Sequence, residues 1–137
     1  MPLVQQFDTT MHLLQKVLDL RSRNQEIISS NIANAETPGY SAVSFEFEDQ
    51  LKSAMREGGL RPVTTNPRHM AITPARLDQI QGRIVEEKDK TGIGDKNSVN
   101  VDKEMVKLSE NEILYEAAVT MLKKKLSMLK YAANDGR

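Results

Sequence analysis

Apolar side chains recur every three or four residues over the first part of the chain, from Thr9 to Ala35. Two stripes with this spacing run side by side, which predicts one long α-helix packed in the manner of a coiled coil. Asp8, Thr9 or Thr10 is a candidate N-cap. Because two stripes form a wide apolar face, we expect this helix to contact more than one neighbour. The first stripe consists of Phe7, Met11, Leu14, Leu18, Arg21, Gln25, Ile28, Ile32 and Ala35, and the second of Leu13, Val17, Leu20, Asn24, Ile27 and Asn31.

A second helical pattern, from Val101 to Ala133, is more regular. Its positions follow alternating steps of four and three residues, and only Glu112 interrupts the apolar seam. Asp102 is a plausible N-cap. A helix of this extent is about 50 Å long at 1.5 Å per residue, which favours an elongated coiled coil over a compact globule. The seam is formed by Val101, Met105, Leu108, Glu112, Tyr115, Val119, Leu122, Leu126, Leu129 and Ala133.

The middle of the chain, residues 41–100, lacks this periodicity. Val43, Phe45 and Phe47 alternate with polar residues, which predicts a short strand. LKSAMREGG predicts one or two helical turns, VTTNPRHMAITP an extended segment, and EEKDKTGIGDKNS an exposed charged loop. So few large apolar residues do not predict an independently stable core.

These patterns together predict a mainly α fold in three parts. Residues 1–40 form the N-terminal helix and a turn, and residues 41–100 form a loop-rich middle with little regular structure beyond a short β segment. Residues 101–137 form a C-terminal helix that pairs with the first as a coiled-coil hairpin. The two stripes could pack only against each other in a monomeric hairpin. The wide face of the first helix favours packing between molecules instead.

Composition and charge exclude several classes of function. Lys and Arg number 19, and so do Asp and Glu, so the neutral chain gives no electrostatic case for binding nucleic acid or an anionic membrane. There is no cysteine, which excludes disulfides and thiolate chemistry. No apolar run is long enough to span a membrane, and the N-terminal residues do not resemble a cleavable signal peptide.

Candidate catalytic and ligand-binding residues are scarce. Neither His12 nor His69 has other ligands at metal-binding spacing, so both are expected to be exposed or structural. In TGIGDKN, Asn97 stands where a dinucleotide-binding loop has its third glycine. The same loop also lacks the ligand spacing of a calcium-binding loop. Three consecutive lysines at 123–125 spread over different faces of a helix. We therefore predict no catalytic, cofactor-binding or metal-binding residues and no enzymatic activity.

The stretch NIANAETPGY at residues 31–40 is the most unusual in the chain. Asn31 lies on an apolar stripe, where an amide costs stability but fixes the register of packed helices because it must find a partner. Asn34 follows near the helix end. Thr37 precedes a proline and is pushed out of helical geometry. Pro38 and Gly39 then occupy the two central positions of a type II turn, which requires a positive φ at the glycine.

The stretch SSNIANAETPGY resembles the N-terminal signature of bacterial flagellar axial proteins. The matching positions are the helix-end residues and the turn residues Thr37, Pro38, Gly39 and Tyr40. The C-terminal stretch NSVNVDKEMVKLSENEILYEAAVTMLKKKLSML is similar to the terminal helix of the same proteins. The middle segment has only 60 residues, and in this length the chain resembles the short members of the group, the flagellar basal-body rod proteins. YSAVSFEFEDQLK is most similar to the B-type proximal rod proteins, and the C-type proximal rod subunit is the alternative.

The resemblance implies a structural subunit of the proximal rod that polymerises through its terminal helices into a helical tube and transmits torque. Its implied partners are other copies of itself, other rod subunits, the adaptor joining the rod to the membrane ring, and the flagellar export apparatus. The implied location is the basal-body rod in the periplasmic space, reached by export without a cleaved signal peptide. No cofactor, nucleic acid or membrane span is implied. A non-flagellar coiled-coil adaptor would carry the same heptads and stays a second alternative.

The seams and the resemblance together select a candidate subunit interface, and the turn adds a rigid exit from the first helix. The candidate interface residues are Leu14, Leu18, Ile28, Asn31, Ile32, Asn34, Met105, Leu108, Tyr115, Val119, Leu122, Leu126 and Leu129.

Overall fold

The computed structural model describes residues 2–57 and 77–134, which form three helices and two short strands. In chain order these are α1 (Pro2–Ala33), β1 (Ala42–Glu46), α2 (Glu48–Glu57), β2 (Arg83–Glu87) and α3 (Val101–Ala133). The fold is mainly α, as the sequence predicts. The extended segment predicted for VTTNPRHMAITP, including His69, lies outside the described residues.

The two long helices pack against each other in antiparallel orientation. Asn31, near the end of α1, contacts Glu104, in the first turns of α3. Asn24 lies one heptad earlier on α1 and contacts Asn111, one heptad later on α3. With 33 residues, α3 is about 50 Å long. The predicted hairpin of long terminal helices is thus confirmed.

Both helices start at residues other than the predicted caps. α1 begins at Pro2, because proline is well suited to the first turn of a helix, where its missing N–H costs nothing. α3 begins directly after Asn100, whose side chain accepts a hydrogen bond from the Lys103 backbone N–H at 3.0 Å. Asp102 is therefore a residue of the first turn, where its charge suits the helix dipole, and not the N-cap.

The described part of the middle segment contains a two-stranded antiparallel sheet and the helix α2. β1 pairs with β2 in a register that places Ala42 opposite Glu87 and Glu46 opposite Arg83. The strand predicted around Val43 and Phe45 is confirmed, but it ends at Glu46, just before α2. α2 starts earlier and is longer than the predicted one or two turns. β2 is rich in charged residues and largely exposed, so the sequence patterns did not predict this strand.

The second stripe of α1 packs against this middle segment. Leu13 and Leu20 from α1 join the two phenylalanines of the β1–α2 region, with Val17 and Ile27 packed at the edge. The middle has few large apolar residues of its own, so its core forms on α1 and not by itself. Two neighbours of α1, the middle segment and α3, both belong to the same chain. The buried cluster consists of Leu13, Leu20, Phe45, Phe47, Leu51, Leu77 and Ile80.

Candidate functional site

Asn31 is the best-connected polar side chain in the described part of the hairpin, and none of its surface is exposed. Its amide nitrogen donates to the Val43 backbone oxygen at 2.7 Å and to Glu104 Oε2 at 2.9 Å. Its amide oxygen accepts from the Val43 backbone N–H at 2.9 Å and from the Tyr40 hydroxyl at 3.2 Å. The amide therefore pairs with β1 as a neighbouring strand would, and it ties α1, β1 and α3 together at one point.

Glu104 supplies the α3 side of this contact, although only 2% of its surface is exposed. Its second carboxylate oxygen forms an ion pair with Lys107 Nζ at 2.7 Å. A buried carboxylate without partners would be very costly, so the amide and the ammonium together make the burial possible. Lys107 also lies 4.0 Å from Glu87 of β2, which links α3 to the sheet.

A second polar layer lies one heptad further along α3. Asn111 donates to the Arg21 backbone oxygen at 2.9 Å and accepts from Asn24 Nδ2 at 2.9 Å. The Arg21 guanidinium forms an ion pair with Glu48 at 3.0 Å and lies 5.0 Å from the centre of the Phe47 ring. Among the described residues, its Nε is the one buried side-chain polar atom without a hydrogen-bond partner. The layer connects both long helices to the start of α2.

Sequence reasoning missed Glu104 and Asn111 as seam residues because it searched for apolar side chains. The buried line of α3 runs through Glu104, Asn111 and Ala118, which are spaced by seven residues. The available signal was a heptad line on which an amide and a carboxylate stand in place of apolar residues, as they do at Asn111 and Glu104. The prediction had Val101, Met105 and Leu126 in its place, and these three are substantially exposed. The remaining predicted seam residues at heptad spacing are half-buried, namely Leu108, Tyr115, Leu122 and Leu129.

The turn after α1 has the predicted geometry. Gly39 has φ +74°, and the Tyr40 backbone N–H donates to the Thr37 oxygen at 3.2 Å, which closes a turn of the predicted type. Asn34 does not enter the helix seam. Its amide nitrogen donates to the Ser30 backbone oxygen at 2.8 Å, and its amide oxygen accepts from the Thr37 hydroxyl at 3.2 Å. Its side chain therefore bonds groups at the C-terminal end of α1.

The segment before α3 packs onto this turn, although it lies about 60 residues away in sequence. Asn97 Nδ2 donates to the backbone oxygens of Asn34 at 2.9 Å and of Thr37 at 2.8 Å. The Gly39 N–H donates to the Asp95 oxygen at 2.6 Å, and the Ser98 N–H donates to the Tyr40 oxygen at 3.1 Å.

Ser98 extends the junction to the sheet. Its hydroxyl accepts from the Ala42 N–H at 2.7 Å and donates to the Glu87 backbone oxygen. The two segments that carry the sequence resemblance thus form one hydrogen-bonded junction at the end of the hairpin.

The candidate interface residues fall into three groups in the single chain. Leu14, Ile28 and Asn31 are buried by the chain itself, so their contacts are internal. Met105 and Leu126 are about half exposed, at 49% and 47%. Of the turn residues, Tyr40 is half-buried and Thr37, Pro38 and Gly39 are exposed. The remaining interface residues, all half-buried, are Leu18, Ile32, Asn34, Leu108, Tyr115, Val119, Leu122 and Leu129.

The outward surface of α3 is unusually apolar for a helix that packs on one side only. Most large hydrophobic side chains of the described residues that remain exposed lie on this helix. Exposed patches of this kind mark interaction sites. The exposed α3 residues are Val101, Met105, Val106, Ile113, Leu114, Met121, Leu126, Met128 and Tyr131.

The described residues offer little for ligand chemistry. They contain no group of three or more His, Cys, Asp or Glu side chains that could hold a metal ion. His12 lines a shallow groove between the two long helices, beside Met11 and Leu122. Of the helices described, none has the length and apolar character needed to cross a membrane.

Among the described residues, two ionisable groups at the surface have shifted pKa values, and each takes part in a local hydrogen-bonded contact. The hydrogen bond from Arg83 to Glu46, at 2.6 Å across the sheet, raises the pKa of the arginine. Hydrogen bonds from the backbone and side chain of Thr91 lower the pKa of the Asp89 carboxyl. These hydrogen bonds hold β2 and the following loop in place, and the pKa shifts that they cause do not indicate a catalytic site.

Comparisons with known proteins agree with the family resemblance of the sequence. Residues 18–40 match the family described as flagella basal body rod protein. The flagellar basal body rod protein FlgB of Proteus mirabilis strain HI4320 is 31% identical over 141 residues, covering 98% of this chain and 100% of the relative. FlgB of Yersinia enterocolitica is 33% identical, covering 88% of this chain and 90% of the relative. FlgB of Escherichia coli K12 is 31% identical, with 88% and 89% covered.

Proposed function

Because this chain belongs to the flagellar basal body rod protein family, in its FlgB group, we propose that it is a structural rod subunit whose terminal helices pack against neighbouring subunits. Relatives named FlgB match nearly the whole chain, which favours the B-type proximal rod protein over the C-type subunit and the non-flagellar adaptor. In this role the protein lies in the rod of the basal body with other rod components.

The observation that carries the proposal is the apolar outward surface of α3. The chain covers the other long helix on two sides, yet it leaves Met105, Met121 and Leu126 about half exposed. A neighbouring subunit that covers these side chains would remove their apolar surface from water. This burial would stabilise the contact by about 25 cal/mol per Å². Contacts between different surfaces of identical subunits produce open helical assemblies instead of closed rings. Repeated contacts of this kind would build the tube and give it the torsional stiffness needed to transmit torque.

The proposed partners follow from the same role. They are other copies of this chain, other rod subunits, the adaptor that joins the rod to the membrane ring, and the export apparatus through which the unfolded chain would pass. The proposed location is the periplasmic part of the basal body. The absence of cysteine suits that compartment, because no thiol is available for unwanted oxidation.

Leu126→Asp tests the proposal in cells that lack the native gene. Leu126 borders the groove that α3 shares with Met11 and His12 of α1, but its side chain is 47% exposed, so a charge there stays in contact with water in the single chain and would be buried in an assembled interface. We expect normal protein levels and loss of swimming and of rods in purified basal bodies. Leu122→Asp is a less specific probe, because Leu122 is half-buried against α1.

Ser127→Asp is the matched control, since it adds the same charge at the next residue, which is exposed and polar. We expect it to support swimming. Full motility of the Leu126→Asp strain, at equal protein level, contradicts the proposed role of this helix surface.

A further inference from the structure

The exposed charges of α3 are separated by sign along the helix. The middle of the helix exposes three carboxylates, and its C-terminal third exposes three ammonium groups and no carboxylate. All six lie on the half of the helix surface that faces away from the buried line of Glu104, Asn111 and Ala118. In the first turn, Asp102 and Lys103 have opposite signs and add to neither group. The acidic block consists of Glu110, Glu112 and Glu116, and the basic block consists of Lys123, Lys124 and Lys130.

The folded chain neutralises neither block. Among the described residues, none of these six side chains forms an ion pair. Glu112 and Glu116 are four residues apart and repel each other, whereas an exposed helix is stabilised by opposite charges at this spacing. The helix dipole favours carboxylates at the start of a helix and cations at its end, but only within the first and last turns. Glu110 and Lys124 lie more than two turns inside α3, so the dipole does not account for the blocks.

Apolar side chains are exposed among the charges of both blocks. Ile113, within the acidic block, is 67% exposed. Met128 and Tyr131, on either side of Lys130, are 58% and 64% exposed. A surface that combines exposed apolar side chains with unneutralised charge suits a partner with apolar groups and the opposite charge. Each block of α3 has the properties required of a partner for the other block.

Other described surfaces fit the basic block less well. The start of α2 also exposes carboxylates, but Glu46 is paired with Arg83 and Glu48 with Arg21. On α1, the exposed charges whose side chains are described alternate in sign along the helix. The acidic block of another α3 is therefore the described surface whose charge best complements the basic block.

The separation of the blocks limits how two copies of α3 can lie side by side. Parallel helices at the same level would place like charges together. The centres of the blocks are about 13 residues apart, so a displacement of about 20 Å along the axis brings unlike blocks level. Antiparallel helices also bring unlike blocks together, but that contact is twofold and closes at a dimer. The displaced parallel contact leaves one block of each helix free for the next subunit, so it repeats without closing.

We propose that the acidic block of α3 in one subunit packs against the basic block of α3 in a second copy of this chain, with the helices parallel and displaced by about 20 Å. This inference rests on the proposed function, because the open assembly of a rod selects the parallel arrangement. Repulsion between like blocks excludes the level arrangement. The charge pattern of α3 thus sets the axial step between the two subunits.

Reversal of one block at a time tests the contact in the full-length chain. One variant carries Glu110→Lys, Glu112→Lys and Glu116→Lys, and the other carries Lys123→Glu, Lys124→Glu and Lys130→Glu. All six positions are exposed, and circular dichroism checks that both variants keep the native helix content. In sedimentation velocity, we expect each variant alone to stay monomeric at a concentration at which the native chain self-associates. Their equimolar mixture should associate, because one helix then has two basic blocks and the other two acidic blocks.

A third variant controls for net charge. Asp49→Lys, Asp78→Lys and Glu86→Lys change exposed carboxylates of the middle segment and shift the net charge by the same amount as reversal of the acidic block. We expect this variant to self-associate as the native chain does. Added salt should weaken association of the mixed block variants, because it screens exposed charges. The inference is overturned if the mixture sediments as two separate monomers, or if either block variant self-associates like the native chain.

Carbodiimide crosslinking of the native chain locates the contact and its orientation. The reagent joins a carboxylate directly to an amine, and a mixture of isotope-labelled and unlabelled chains identifies the links that form between copies. We expect such links between the acidic and basic blocks, in species larger than a dimer. Association without these links, or association that stops at a dimer, overturns the proposed contact.

The swimming assay of the Leu126→Asp strain decides the proposed function independently. If the mixed block variants do not associate and that strain does not swim, the charge contact is refuted and the rod role stands. If the mixed block variants do not associate and that strain is fully motile, both are refuted.

Discussion

The two long helices have almost the same length, 32 and 33 residues, but the chain treats them differently. α1 is covered on two sides, by α3 and by the core of the middle segment, and it buries Leu13, Leu14, Leu20 and Ile28. On α3, the buried residues are only Glu104, Asn111 and Ala118. α1 is therefore the internal scaffold on which the described part of the chain folds, and α3 carries most of the large apolar side chains that remain exposed there.

The contact between the helices is polar where most coiled coils are apolar. Buried polar groups contribute little net stability, but a wrong register leaves them without partners at a high cost. The amide and carboxylate layers at Asn31–Glu104 and Asn24–Asn111 thus make one alignment of α3 on α1 far better than its neighbours. A fixed alignment of the hairpin holds the outward surface of α3 in one position relative to α1, as a repeating assembly requires.

The largest expected effect is at the inward side of the hairpin. Asn31→Leu removes four hydrogen bonds and leaves Glu104 and both Val43 backbone groups without their amide partner. We expect a loss of about 4 kcal/mol in the free energy of unfolding, measured by urea titration with circular dichroism. Ser30→Ala, at an exposed position on the same helix, is the control and should change stability by less than about 0.5 kcal/mol. Equal stability of the Asn31 variant and the native protein would refute the register role.

A pair of truncations compares the two helices directly. Leu20→Ala removes a side chain that is 4% exposed in the core, and we expect it to cost about 3 kcal/mol in the same urea titration. Met121→Ala removes a side chain that is 57% exposed, and we expect less than about 0.5 kcal/mol, together with weaker assembly in sedimentation. The comparison fails if Met121→Ala destabilises the isolated chain as much as Leu20→Ala does.

Two glycines separate backbone strain from packing. Gly39 and Gly82 both have positive φ, but a Cβ at Gly39 meets no other atom within 4 Å, whereas a Cβ at Gly82 collides with the Phe45 ring. We expect Gly39→Ala to cost about 1 kcal/mol from strain alone, and Gly82→Ala about 3 kcal/mol from strain and overpacking. The unfolding free energies of the two variants measure the difference. Equal values would mean that the ring moves aside at no cost.

The smallest expected effect lies in the loop before α3 and depends on pH. Hydrogen bonds lower the pKa of Asp89 in the folded chain below the unfolded value of 3.8. The folded state is therefore favoured above that value, and this contribution is lost as the pH falls through the lower folded pKa. Asp89→Asn should flatten the pH dependence of the unfolding midpoint in this range without changing assembly at neutral pH. An unchanged pH profile in the variant would show that Asp89 does not contribute.

The sequence predicted those features that residues close together in the chain determine, and it missed those that depend on distant residues. Gly39 was predicted correctly because a Pro-Gly turn is set by the φ preferences of the turn residues themselves. The helical stripes were predicted because their spacing is a property of the helix. The β2 strand was missed because it pairs with a strand about 40 residues away and exposes much of its surface.

Buried polar partners were beyond the sequence patterns for the same reason. Asn31 was recognised as a register-fixing amide, but its partners Val43 and Glu104 are brought to it only by the folded chain. The second stripe of α1 was read as a surface for other molecules, whereas the middle segment covers it. Local chemistry thus predicted the elements and the turn, and tertiary packing decided which surfaces remained free.

The central claim is that neighbouring subunits cover the outward surface of α3. Peroxide oxidation of methionines, quantified by mass spectrometry before and after assembly, measures this directly. We predict that Met121 and Met128 oxidise readily in the single chain and slowly in the assembly, while Met55, partly buried at the α1 core, keeps its rate. Equal oxidation rates of Met121 and Met128 in both states would contradict the claim.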